Sequence, residues 1–169
     1  HMEFVGRMLD GSYGWDLRDL LRHGEDSIRL PQDEKMRHLQ KVDIFTDCTR
    51  KQLRAVAAIS RVIEAPAGTV LTRAGEPGEE FFFILDGAAT VEVTRRKRVR
   101  LMPGEFFGEM SLLDGEPRSA TVRAETDMRL LIILRRNFQT LLGEVPELTR
   151  SILIVLSRRL RELERTLNA

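Results

Sequence analysis

Several things are scarce in this 169-residue chain, and each scarcity removes a class of function. There is one cysteine, Cys48, so no disulfide forms within the chain, and a reducing, cytosolic setting is the expectation. Histidine is confined to His1, His23 and His38. No histidine lies in the later, strand-rich half, where a jelly-roll metal site would need a cluster of them. Metal-dependent and other enzyme chemistry is therefore not expected. Nor does a Gly-x-Ser-x-Gly elbow or a histidine base accompany Ser111 or Ser119, as a serine nucleophile would require. No apolar run approaches the roughly 18 residues of a membrane span. Charge of one sign is missing too: 27 Lys and Arg face 26 Asp and Glu, for a net charge of +1. That balance gives no global attraction to nucleic acid or to an anionic membrane.

What is present is enough for one substantial core, since 42% of the residues are hydrophobic. His1-Met2-Glu3-Phe4 look like an expression-vector remnant. The segment up to residue 35 reads as an arm or linker containing one short periodic piece, Trp15 to Leu21. That piece is either a docking arm or a helix that pads the main body, and padding is the simpler reading. The pattern turns helical from Asp33, and Thr49-Arg50-Lys51-Gln52 forms a capping box ahead of Leu53, Val56 and Ala57.

From Arg61 to Ile133 the chain breaks into short runs bounded by Gly and Pro. Strands are predicted at Arg61 to Glu64, Thr69 to Thr72, Phe81 to Leu85, Thr90 to Val93, Val99 to Met102, Ser119 to Arg123 and Met128 to Ile133. Seven or eight strands so spaced argue for a small antiparallel sandwich or jelly roll. After Arg135 helical signals return. Phe138, Leu141 and Leu142 share a short helix, and Pro146 opens a long one reaching about Leu167. In it Leu153, Leu156, Leu160, Leu163 and Leu167 alternate steps of three and four, a heptad seam suited to packing on the body or to pairing with a second copy.

The stretch from Phe106 to Val122 carries the chemistry. Gly108 permits close approach of backbone to a ligand, and Glu109 to Leu113 suffices for one helical turn with N–H groups available to an anion. Arg118 adds a forked cation suited to phosphate. Glu109 would repel a phosphate, so it is better employed accepting hydrogen bonds from a sugar hydroxyl. Together these groups read as a receptor for a sugar phosphate. The blander alternative is a structural ion pair between Glu109 and Arg118.

Phe107-Gly108-Glu109-Met110-Ser111-Leu112-Leu113 and Pro117-Arg118-Ser119-Ala120-Thr121-Val122 resemble the phosphate-binding cassette of cyclic-nucleotide-binding domains. Upstream, Pro66-Ala67-Gly68, Gly75-Glu76-Pro77-Gly78, Phe81 to Leu85 and Gly87 are similar to the glycine-punctuated strands of that family. The resemblance implies a mixed fold, mainly β. An antiparallel eight-stranded β-roll over 61–134 would be flanked by helices at 36–60 and 136–167, all within a domain spanning 36–169. It implies binding at Phe107, Gly108, Glu109, Met110, Ser111, Arg118, Ser119, Ala120 and Val122. Glu109 and the Gly108 backbone would hold the ribose 2′-hydroxyl, while Arg118 and the Ala120 amide would hold the cyclic phosphate. Small residues at position 119 go with cyclic AMP in this family and threonine with cyclic GMP, so Ser119 points to cyclic AMP. The last helix closes over the base in such domains, which makes Arg158 and Arg159 candidate lid residues and movement of that helix the expected output.

A transcription regulator of the cyclic AMP receptor type is the alternative; its recognition helix is not found up to Ala169, so DNA binding would need a further segment. A degenerate, non-binding interaction domain is the other. The basic cluster Arg95-Arg96-Lys97-Arg98 with Arg100 lies at a hairpin and reads as a solvated turn rather than a nucleic-acid contact, since no aromatic residue is interleaved.

Overall fold

The computed structural model describes residues 16–22, 27, 28, 30–93 and 96–168. Trp15 and Arg95 lie outside them. In chain order the elements are helix α1 (Leu17–Arg22), strand β1 (Ser27–Ile28), α2 (Gln32–Gln40), a 3-10 turn (Asp43–Phe45) and α3 (Arg50–Ile59). Then follow β2 (Ser60–Ala65), β3 (Val70–Thr72), β4 (Glu80–Asp86), β5 (Ala89–Glu92), β6 (Arg98–Leu101) and β7 (Phe106–Phe107). The chain continues with α4 (Glu109–Asp114), β8 (Thr121–Ala124), β9 (Met128–Leu134), α5 (Arg135–Glu144) and α6 (Pro146–Leu167).

Two antiparallel sheets form the roll, one ordered β1-β2-β9-β4-β7 and the other β3-β8-β5-β6. Strands β2 to β9 are the eight strands of the expected roll. Two were not anticipated, β7 and the arm's β1, which pairs Ser27 with Ile63 on the edge of β2. Both are only two residues long, too short for alternation to show in sequence.

The central strands β4 and β9 read as unbroken apolar runs, Phe81-Phe82-Phe83-Ile84 and Leu130-Leu131-Ile132-Ile133, because both faces of their sheet are covered. Alternation decides which face each residue serves. Phe81, Phe83, Leu131 and Ile133 face a helical layer that includes Leu39, Phe45, Val56, Phe138 and Leu148. Phe82, Ile84, Leu130 and Ile132 face the second sheet through Leu71, Ala89, Val122 and Ala124. Register matches, with Phe82 opposite Ile132 and Phe83 opposite Leu131. A one-residue slip would exchange the two cores.

Local signals set the helices. At α3 the capping box closes from both sides: the Gln52 amide donates to Thr49 Oγ1 at 3.1 Å, and the Thr49 amide donates to Gln52 Oε1 at 2.8 Å. The first half of α6 is anchored by buried Leu148 and Ile152, and the helix packs against the 3-10 turn and α5. Its second half carries exposed Leu160, Leu163 and Leu167. Helix α1 buries Leu17 and Leu20 in the core between the sheets, so this helix is part of the folded body. Among the described residues no helix is long and apolar enough to cross a membrane.

Candidate nucleotide-binding site

Strand β7 ends at Phe107, and the chain turns at Gly108 with φ +88°, a left-handed conformation open to glycine, before α4 begins at Glu109. A Cβ at this position would also stand 2.9 Å from Arg118 Nη1 and 3.0 Å from the Glu80 carbonyl oxygen. Glycine is required here both by conformation and by space.

Arg118 is the best-held side chain in the region. Its amide donates to the Glu76 carbonyl and its carbonyl accepts from the Gly75 amide, both at 2.8 Å. Nη1 donates to Gly108 O at 2.8 Å, and Nη2 donates to Glu80 O at 2.8 Å and to Glu80 Oε2 at 3.2 Å. The guanidinium also lies over the Phe82 ring, 5.8 Å from its centroid. With 5% of the side chain exposed, burial pulls the guanidinium below its ordinary range, and the Glu80 carboxylate opposes that shift. Gly78 supplies the floor, since a Cβ there would lie 2.6 Å from Arg118 Nε and from Ser111 Cβ.

Glu109 has a different partner from the one considered in the sequence. It does not pair with Arg118. Its Oε1 accepts from Arg159 Nη1 of α6 at 3.2 Å, while Oε2 is buried with no hydrogen-bond partner. Burial pushes its carboxyl above the usual carboxylate range, with Arg159 the largest opposing influence. Arg159 Nη2 also donates to the Phe106 carbonyl, and the guanidinium sits 4.5 Å from the Phe106 ring centroid. One cation from the last helix thus rests on the cassette's carboxylate.

These groups line a cavity of about 630 Å³. Phe107, Gly108, Glu109, Met110, Ser111, Arg118, Ser119, Ala120 and Val122 all contribute to its wall, as do Arg158 and Arg159. Val91, Val99 and Leu163 add apolar lining, and a wall of mixed apolar and charged groups suits a ligand with a flat ring and a sugar phosphate. The Ser119-Ala120 turn is tied down by Thr72 Oγ1, which donates to Ala120 O at 2.9 Å. Sequence reasoning missed Gly78 and Glu80 as parts of this site. The only signal was Gly75-Glu76-Pro77-Gly78-Glu79-Glu80, a tight turn delivering two carboxylates at the start of an apolar strand.

Residues 62–144 match the family model of the cyclic nucleotide-binding domain. A cyclic nucleotide-gated potassium channel of Mesorhizobium japonicum is 48% identical over 107 residues, which cover 63% of this chain and 30% of the channel. The solved structure of cAMP-bound PfPKA-R superposes with a TM-score of 0.68 at 26% identity, covering 81% of this chain and 46% of that one. The catabolite activator protein of Thermus thermophilus gives the same TM-score at 27% identity, covering 75% and 62%. The chain spans under a third of the length of the curated channel it matches. The two-sheet antiparallel roll agrees with these matches, and the segment from residue 62 to residue 144 is a cyclic nucleotide-binding domain.

Proposed function

We propose that this chain binds cyclic AMP in the cavity beside the cassette and passes occupancy to α6. The observation that carries the reading is the Arg118 guanidinium, buried and held by two main-chain carbonyls on the wall of a cavity wide enough for a nucleotide. A buried cation so arranged is preorganised for an anion. The cyclic phosphate goes to Arg118 and the Ala120 amide, the ribose 2′-hydroxyl to Glu109 and the Gly108 backbone, and the base to the apolar lining near Val91 and Leu163. The lack of a threonine at Ser119 favours adenine over guanine, and the cAMP-bound PfPKA-R relative supports the same ligand.

Transmission runs through Glu109. The 2′-hydroxyl and Arg159 of α6 converge on the same Glu109 carboxylate, so occupancy alters the pairing that ties α6 to the cassette. The ligand moves that equilibrium only by its differential affinity for the two arrangements. Leu153, Leu160 and Leu167, seven residues apart and all more than half exposed, further support pairing of two copies along α6. Sedimentation velocity across a concentration series would show a dimer that dissociates in Leu160→Arg; a monomer at every concentration would remove the pairing.

Isothermal titration calorimetry with cyclic AMP and cyclic GMP tests the binding. We expect the lower dissociation constant for cyclic AMP, and at least a tenfold loss in Arg118→Ala, because a charge-assisted hydrogen bond contributes about 1.5 to 3 kcal/mol. Unchanged affinity in that variant, or no binding by folded, nucleotide-free protein, would overturn the assignment.

A further inference from the structure

Arg118 holds an anion from its own chain. Nη2 spends both hydrogens on Glu80, one on the carbonyl and one on the carboxylate, while Nη1 donates to Gly108 O. A guanidinium offers two bidentate edges, Nε with Nη2 and Nη1 with Nη2, and both include Nη2. A phosphate gripping Arg118 with two hydrogen bonds must therefore displace the Glu80 carboxylate, because the carbonyl is fixed in β4 opposite Leu134. The displaced carboxylate stays tethered to β4 by its own side chain, because its backbone is held in that strand.

The local charges sharpen this point. Arg118 and Arg159 balance Glu80 and Glu109 within the site. Glu79, the next acid along, also lies close enough to Arg118 to act on its charge. Lys97, Arg100 and Arg158, which also line the cavity, are matched in number by Asp43, Glu105 and Glu162, so an entering phosphate finds no formal surplus of positive charge. A phosphodiester brings one negative charge, whereas a phosphomonoester above its second pKa of about 6 brings nearly two.

We propose that Glu80 is a charge filter, a specificity-determining residue that admits singly charged phosphodiesters and rejects doubly charged phosphomonoesters such as 5′-AMP. The proposal rests on the cyclic-nucleotide reading of the cavity. It assigns Glu80 a task separate from that of Glu109, which takes a hydroxyl. The filter works through repulsion of the second phosphate charge by a carboxylate tethered to β4 beside Arg118, a repulsive element that discriminates between ligands by their charge.

The test is calorimetric titration of wild type and Glu80→Gln with cyclic AMP, 5′-AMP and the singly charged acyclic ester adenosine 5′-O-methyl phosphate, at pH 7.5 and 5.5. At pH 7.5 the preference for cyclic AMP over 5′-AMP should fall about tenfold in Glu80→Gln, as expected for removing one unit charge beside another in a partly buried site. In wild type the same preference should relax at pH 5.5, where the monoester carries one charge, and Glu80→Gln should show a smaller change. Glu109, whose carboxyl burial pushes up, is common to both proteins along with Glu79, Arg118 and Arg159, so its titration cancels in the comparison. The methyl ester should bind wild type more tightly than 5′-AMP, a result that needs no variant. A preference for cyclic AMP that is the same in both proteins, with methyl ester and 5′-AMP binding alike, would overturn the filter alone. Failure of wild type to bind cyclic AMP would overturn the reading of the cavity and the filter with it.

Discussion

At the scale of single residues, the site is governed by what lies next to two buried charges. Gly78 has no Cβ because Arg118 occupies the space, 2.6 Å from where that atom would be. Gly78→Ala should push the guanidinium out of its seat, and we expect at least a tenfold loss of cyclic AMP affinity with a much smaller change in melting temperature. Calorimetric titration alongside a thermal melt reads both. Glu109 makes the second residue-scale prediction. Its carboxyl is raised in the folded protein by burial, so the folded state binds a proton more readily than the unfolded chain, whose glutamates titrate near 4.3. Below that pH both states hold the proton and the burial imposes no penalty. As pH rises through the raised folded value, wild type loses stability relative to Glu109→Gln. Urea melts of the ligand-free pair between pH 4 and 8 should show the gap widening in favour of the variant, and a gap independent of pH would refute the account.

At the scale of elements, α6 is divided between a packed half and an exposed half, and substitutions should report the boundary. Ile152 is 2% exposed in the helical core, so Ile152→Ala should cost about 2 to 4 kcal/mol in chemical denaturation. Leu160, 58% exposed, should cost under about 0.5 kcal/mol in dilute monomer. The sequence pattern picked out Leu160 in a heptad seam and passed over Ile152, because periodicity could not say where the body ends. The same limit explains which elements were legible. Strands of three or more residues, the capping box at Thr49 and the proline that opens α6 were readable because each carries its signal locally. β1 and β7 were not, since two residues held by a neighbour's edge have no pattern of their own. In the site, Gly108, Glu109 and Arg118 stood out as charges and a glycine within an apolar run. Glu80 did not, because its role depends on β4 lying beside the cassette, a contact between residues 38 positions apart.

At the scale of the whole molecule, the arm raises the question of what keeps it on the roll. Two kinds of contact compete for the credit. One is polar: Arg18 Nη2 reaches Glu76 Oε2 at 2.8 Å, and Arg73 Nε reaches Asp16 Oδ2 at 3.3 Å. Arg18 and Glu76 are 62% and 41% exposed, and exposed pairs of this sort contribute about 0 to 1 kcal/mol. The other is apolar: Leu17 and Leu20, 3% and 5% exposed, enter the core shared with Ile63, Leu71 and Phe82. Deleting a buried leucine side chain to alanine typically costs about 2 to 5 kcal/mol, and the burial therefore dominates. Leu20→Ala should lower the melting temperature by several degrees, with Arg18→Ala within a degree or so of wild type. The arm also touches the turn whose Glu76 carbonyl accepts from the Arg118 amide, so detaching it loosens the seat of the phosphate-binding arginine. Leu20→Ala should accordingly weaken cyclic AMP binding as well as stability, and full wild-type affinity in a measurably destabilised Leu20→Ala would separate the arm from the site.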